Sequence, residues 1–126
     1  MTNGLVAMPK KSREKLGLDK LVIFNGLREG NGAEFLPTTS GAMIEHFGYF
    51  SSDGKECMVK DMAAMTAAGR AGKIVIFKAW PGFSWLDKDM MEKPQAKRVQ
   101  LARERITLPL ACFLVAAEAH CYFCYT

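Results

Sequence analysis

The sequence is poor in the residues that build metal and phosphate sites. It holds 2 histidines and 4 cysteines in 126 residues. Of Cys57, Cys112, Cys121 and Cys124, only the last two form a C-x-x-C. A structural zinc site needs a second such pair, or histidines at ligand spacing. His120 is adjacent, but no fourth ligand is evident, and a strand would turn Cys121 and Cys124 to opposite faces. Buried thiols are the plainer reading, so neither a metal nor a cofactor is expected. Gly30 and Gly32 invite a phosphate-loop reading, but no Gly-Lys-Ser/Thr follows them. Aromatics are missing from the two basic runs, Lys10–Lys20 and Lys88–Arg105, so bases would find no stacking platform there. Acidic residues are interspersed in both, and the net charge is only +4. Solvated helix faces explain these runs better than a nucleic-acid partner does. Met1–Pro9 has neither the charged start nor the apolar run of a secretory signal, and the compartment stays open. Leu108–Tyr125 resembles a membrane span, but Glu118 and His120 interrupt it. The apolar remainder is too short for a bilayer core of about 30 Å, so no membrane partner is expected.

What is present is an ordinary globular composition, 49% hydrophobic and 24% charged, with enough chain for one domain with a core. Lys10–Leu16 reads as the end of a helix stopped by Gly17. Leu21–Leu27 is a near-continuous apolar run of strand formers, the pattern of a parallel strand buried on both faces. Arg28–Ser40, with Gly30, Gly32 and Pro37, reads as a loop with room for one turn of helix, long enough to cross over between parallel strands. Ala42–Phe47 is the next strand, broken by Gly48 and followed by Tyr49 and Phe50. Asp53 and Glu56 have capping-box spacing before a helix from about Lys55 to Gly69. Met58, Met62 and Met65 stripe one side of that helix, as core residues do. Ile74–Trp80 repeats the buried-strand pattern. Pro81–Met91 reads as a loop, and Pro94 suits a first helical turn. The helix it opens carries Val99, Leu101, Ala102 and Ile106. Pro109 kinks it or begins a second helix, which runs to about Ala119. Tyr122–Tyr125 opens a last strand. Strands alternating with helices imply a mostly parallel α/β sheet.

Three strands share one feature: each is apolar along its body and carries a polar residue near its C-terminal end. These are Asn25, Glu45 and Lys78. Side chains alternate between faces, so Leu21, Ile23 and Asn25 share one face. Met43, Glu45 and Phe47 share another, as do Ile74, Ile76, Lys78 and Trp80. If these faces point the same way, Asn25, Glu45 and Lys78 converge in one polar layer. A buried Glu45–Lys78 ion pair that merely satisfies itself is the bland alternative. A carboxylate, an amide, an ammonium and nearby aromatics suit carbohydrate chemistry. Glu45 is the candidate catalytic carboxylate. Lys78 could hold it ionised or bond a sugar hydroxyl, and Trp80 or Trp85 could offer a flat face to a pyranose ring. Glycoside hydrolysis needs two carboxyl groups. Asp87 and Glu34 lie in loops, and no second acid sits at a strand end.

Leu-Val-Ile-Phe-Asn-Gly-Leu, Gly-Ala-Met-Ile-Glu-His-Phe and the ending Tyr-Phe-Cys-Tyr resemble the TIM-barrel glycoside hydrolases grouped as hypothetical glycosyl hydrolase family fifteen. The resemblance spans Leu21 to Thr126. It implies an α/β fold that is part of a (β/α)8 barrel and a carbohydrate substrate; with the strand-end reading, Glu45 is the expected catalytic acid/base, and Asn25, His46, Lys78, Trp80 and Trp85 are the expected substrate contacts. A full barrel typically needs about 250 residues, whereas about four strands are present, similar to the later half. An earlier barrel strand ending in aspartate would supply the second carboxylate. The expectation is therefore a single partial barrel over 1–126, in which 1–20 is the end of a preceding helix and a linker. As a fragment it is expected to be inactive alone, and to pair with a missing N-terminal half-barrel or with itself. A non-catalytic carbohydrate-binding or self-associating module is the alternative from another class, and a nucleotide-binding α/β domain is a third reading weakened by the missing phosphate loop.

Overall fold

A computed structural model of the chain describes residues 2–47 and 54–126. The expected break at Gly48, the residues Tyr49 and Phe50, and the capping residue Asp53 lie outside the described residues. Among the described residues, four strands form one sheet in the order β1-β2-β3-β4, and every neighbouring pair is parallel. They are β1 (Ile23–Asn25), β2 (Gly41–Phe47), β3 (Ile74–Ala79) and β4 (Cys121–Tyr125). Helix α1 (Thr2–Leu16) precedes β1, and a 3-10 helix, Ala33–Thr38, links β1 to β2. Helix α2 (Lys55–Arg70) crosses from β2 to β3. Helices α3 (Lys88–Met91), α4 (Gln95–Arg105) and α5 (Thr107–Ala116) lie between β3 and β4. This is the mostly parallel α/β architecture that the apolar runs imply.

Strand β1 is shorter than its apolar run. Gly26 takes φ 118°, a conformation open mainly to glycine. The chain there turns off the ladder and Leu27 enters the core, where it is fully buried. The 3-10 helix fills more of the Arg28–Ser40 loop than one turn. Helix α3 sits in the expected loop Pro81–Met91, started by Asp87, whose carboxylate accepts from the Met90 N–H. The membrane-like run Leu108–Tyr125 is divided into α5 and β4, and no helix among the described residues is long and apolar enough to cross a membrane.

The two faces of the sheet differ. On one, Ala42, Ile44, Phe47, Val75, Phe77 and Ala79 are fully buried with Met65 and Ala68 of α2. Phe77 centres an aromatic cluster, with ring centroids 4.3 Å from Phe47, 5.9 Å from Phe113 and 6.4 Å from Phe123. On the other face Ile23, Met43, Ile74, Ile76 and Cys124 are half-buried, and Tyr122 is 56% exposed. Burial on both faces, expected for parallel strands, is therefore met on one face only.

Candidate functional site

The site forms at the carboxyl ends of β1, β2 and β3. Pairing brings Asn25 beside Met43 and Met43 beside Ile76. Glu45 and Lys78 lie two residues further along the same face. The Asn25 side-chain amide donates to Glu45 Oε2. Lys78 Nζ donates to the other oxygen, Oε1, at 3.5 Å. His46 Nε2 stands 3.7 Å from Oε2. Asn25, Glu45 and Lys78 thus meet, each from its own strand, with Asn25 and Lys78 on different oxygens of the one carboxylate.

A bulge in β2 shapes the arrangement. Ile44 pairs with Phe77, but Phe47 pairs with Ala79. Three steps along β2 therefore match two along β3, and one extra residue is inserted. An inserted residue re-aims the side chains beyond it. Phe47 consequently turns into the helix-side core, against the alternation that groups it with Glu45. The same insertion leaves both Glu45 and His46 outside the core. Trp80 Nε1 donates to the Glu45 carbonyl oxygen at 2.6 Å, and its ring lies nearly parallel to His46, with centroids 6.1 Å apart. The Lys78 ammonium sits 4.4 Å from the centre of the Trp80 ring, within cation–π range.

Glu45 is held below the ordinary carboxylate range. The Asn25 hydrogen bond acts most strongly. Partial burial opposes it, and His46 and Lys78 add to the lowering. Each donor favours the charged form. The group is an ionised carboxylate at neutral pH, suited to act as nucleophile or base. A general acid needs a raised value instead.

Two hollows lie at this end of the sheet, one of them against the carboxylate. One, of about 200 Å³, is lined by Asn25, Arg28, Glu45, His46 and Asp61 among others. The other, of about 450 Å³, is lined by Lys78, Trp80, Phe83, Trp85 and Met91 with their neighbours. Trp85 is 75% exposed and shares its hollow with Lys78 and Trp80, not with Glu45. Asp61 is a carboxylate that the sequence reading passed over. It lies on α2, only 3% exposed, and its Oδ1 accepts the Glu29 N–H at 2.6 Å. Glu29 has φ 52°, so Asp61 anchors the strained turn after β1. It shares one side of α2 with Met58, Met65 and Ala68. Asp87 caps α3, and Glu34 lies in the first turn of the 3-10 helix between β1 and β2.

Cys121 pairs with Val75 on the helix side, and Cys124 with Lys78 on the open side. Both are free thiols. Among the described residues, no group of three or more His, Cys, Asp or Glu could hold a metal ion.

Polar side chains gather at the carboxyl ends of these parallel strands, the end at which α/β proteins generally bind their ligands. The chain belongs to hypothetical glycosyl hydrolase family 15, whose family model matches residues 1–126. No curated protein matches it.

Proposed function

We propose that the chain carries the strand-end carboxylate of a glycoside hydrolase site built on part of a (β/α)8 barrel. Glu45 is its nucleophile or base. Asn25 and Lys78 fix the carboxylate and keep it charged. His46, Trp80 and Trp85 contact sugar, the two indoles through their flat faces. The convergence of Asn25 and Lys78 on the two oxygens of Glu45 carries this reading, and membership of the family supports a carbohydrate as substrate. A self-satisfied ion pair would explain Lys78, but it does not explain an amide and a histidine on the same carboxylate beside an indole.

Hydrolysis needs a second carboxyl group, about 5 Å away for retention and somewhat further for inversion. Asp61 is committed to the Glu29 backbone, and among the described residues no other acid stands at a strand end. The monomer is therefore expected to bind oligosaccharide without cleaving it. Titration calorimetry with an oligosaccharide panel tests the binding, and Trp80→Ala should abolish it. Binding indifferent to both Trp80→Ala and Lys78→Ala would remove the sugar site from this end of the sheet. Turnover of aryl-glycosides by the monomer, lost in Glu45→Gln, would reveal a second acid within the chain. That Glu45 is the single strand-end carboxylate among the described residues also favours a second reading, a non-catalytic carbohydrate-binding module. That module would bind sugar without turnover in every state of assembly.

A further inference from the structure

We propose that Asp61 is a positioning residue of the Glu45 site: by gripping the turn after β1 it keeps the Asn25 amide on the Glu45 carboxylate. That Glu45 is the reactive group rests on the glycosidase reading; the link from Asp61 to Glu45 does not. Asp61 stands where an acid is unfavourable. It is 3% exposed, on a side of α2 otherwise given to the core residues Met58, Met65 and Ala68. Burying a carboxylate destabilises a fold unless hydrogen bonds answer it. Its Oδ1 accepts the Glu29 N–H at 2.6 Å, a short contact of the kind ionised acceptors make. The same side chain lines the hollow of about 200 Å³ shared by Glu45, Asn25 and Arg28.

The turn needs that grip. Arg28 and Asn31 close it with two backbone hydrogen bonds, of 3.2 and 2.8 Å. Its central residues, Glu29 at φ 52° and Gly30 at φ 82°, both have the positive φ of a type I′ turn. Asparagine, aspartate or glycine suit the first of these positions, and a glutamate there is strained. Such strain persists only where the surroundings hold it, and it gathers at functional sites. Helix α2 holds the turn at three points. Arg28 donates to Cys57 Sγ at 3.9 Å, and Lys60 Nζ stands 3.6 Å from Glu29 Oε2. The first is long and the second is an exposed ion pair, so both are weak. Asp61 makes the short, buried contact. Only Gly26 and Leu27 separate the turn from Asn25. Both donate to the Met43 carbonyl, and Gly26 is the point where the chain swings off the sheet. The ladder therefore sets the body of β1, and the turn sets the lie of its last residue, Asn25.

Removing Asp61 acts on Glu45 in two ways, and their signs are opposite. Loss of the grip frees the Asn25 amide, the strongest influence on the carboxylate, and its titration moves to higher pH. Loss of an acid from the same hollow acts the other way, because a nearby like charge favours protonation. Asp61→Asn keeps the accepting oxygen and changes only the charge, whereas Asp61→Ala removes both. His46 on β2 and Lys78 on β3 also face Glu45, and both stay in place in sequence in these variants. Arg28 lines the hollow from the turn itself.

Carbon-13 NMR of the Glu45 carboxyl in the whole chain separates these effects. Asp61→Ala should raise the titration midpoint most of the way that Asn25→Leu does, and Asp61→Asn should leave it at or below the wild-type value. The double variant Asn25→Leu/Asp61→Ala should titrate where Asn25→Leu does, because the two residues act through one bond; independent effects would add. Hydrogen exchange at the Glu29 amide should be about tenfold slower in the wild type and in Asp61→Asn than in Asp61→Ala. Circular dichroism checks the fold of each variant. Should Asp61→Ala not fold, Asp61→Leu, which suits the apolar side of α2, takes its place. A Glu45 titration unmoved or lowered by Asp61→Ala overturns the proposal. So does a further rise in the double variant, which would give the effect to Arg28 or another group, and so does a Glu29 amide that exchanges freely in the folded wild type. The expected titrations without Trp80-dependent sugar binding would defeat the glycosidase reading alone. Such binding with a Glu45 titration indifferent to Asp61→Ala would defeat the positioning role alone.

Discussion

Asn25 is the group that acts most strongly on the Glu45 carboxylate, which makes it the place to probe the site one residue at a time. Asn25→Leu keeps the size of the side chain and removes the donor. Carbon-13 NMR of the Glu45 carboxyl should then show titration at higher pH than in the wild type. A folded-state value below the unfolded one adds stability that is fully present above the unfolded value and is lost as pH falls through the folded one. Stability of the wild type should therefore decline on acidification below the ordinary glutamate value of 4.5, and Asn25→Leu should blunt that decline. An unchanged titration would mean that the amide does not hold the carboxylate. Glu45, Asn25 and Lys78 were legible in the sequence because each is the polar exception near the end of an apolar run. Asp61 was not, because a lone acid in a methionine-striped helix looks like a solvated one. Only its burial and its bond to Glu29 separate it from its neighbours.

Among the elements, β2 carries the most constraint. Gly41 is buried at its start and pairs with Ile74. A Cβ there would overlap the Ile74 carbonyl, which belongs to the backbone of the neighbouring strand and has little freedom to give. Gly41→Ala is expected to cost about 2 kcal/mol, as overpacking of a tight core does. Urea unfolding should show a lower midpoint with an unchanged slope; an unchanged midpoint would mean that the β2–β3 contact is looser than described. The strands were readable because continuous apolar runs bounded by glycine have few other uses. The bulge was not readable. Strict alternation puts Phe47 on the Glu45 face, and nothing in Glu-His-Phe announces an extra residue. Packing decides it, because the Phe47 ring gains the Phe77 contact only if one residue is inserted. Helix α3 was hidden for a related reason: four residues are too few to show a helical period, and only the Asp87 cap marks it.

For the whole molecule, the α/β class was visible in the alternation of strand and helix patterns, whereas the unequal burial of the two sheet faces was not. The body of β3, Ile-Val-Ile-Phe, is as apolar on the half-exposed side as on the buried one. Strand order following chain order also bears on how fast and in what order the protein folds. Parallel strands can pair only after the segment between them has crossed the sheet. Strands β2 and β3 are the longest pair, and α2 packs on both of them. The loop-closure cost grows only slowly with length, so this unit recovers the most contact for a similar entropic loss and should form first. Shallow truncations there, Ile44→Val and Val75→Ala, are expected to slow folding, with φ-values above about 0.5. Phe123→Leu in β4 should chiefly speed unfolding, because its contacts form after the transition state. Stopped-flow chevrons of the three variants would separate these cases. Equal φ-values at all three positions would mean that the sheet condenses as a whole rather than outward from its centre.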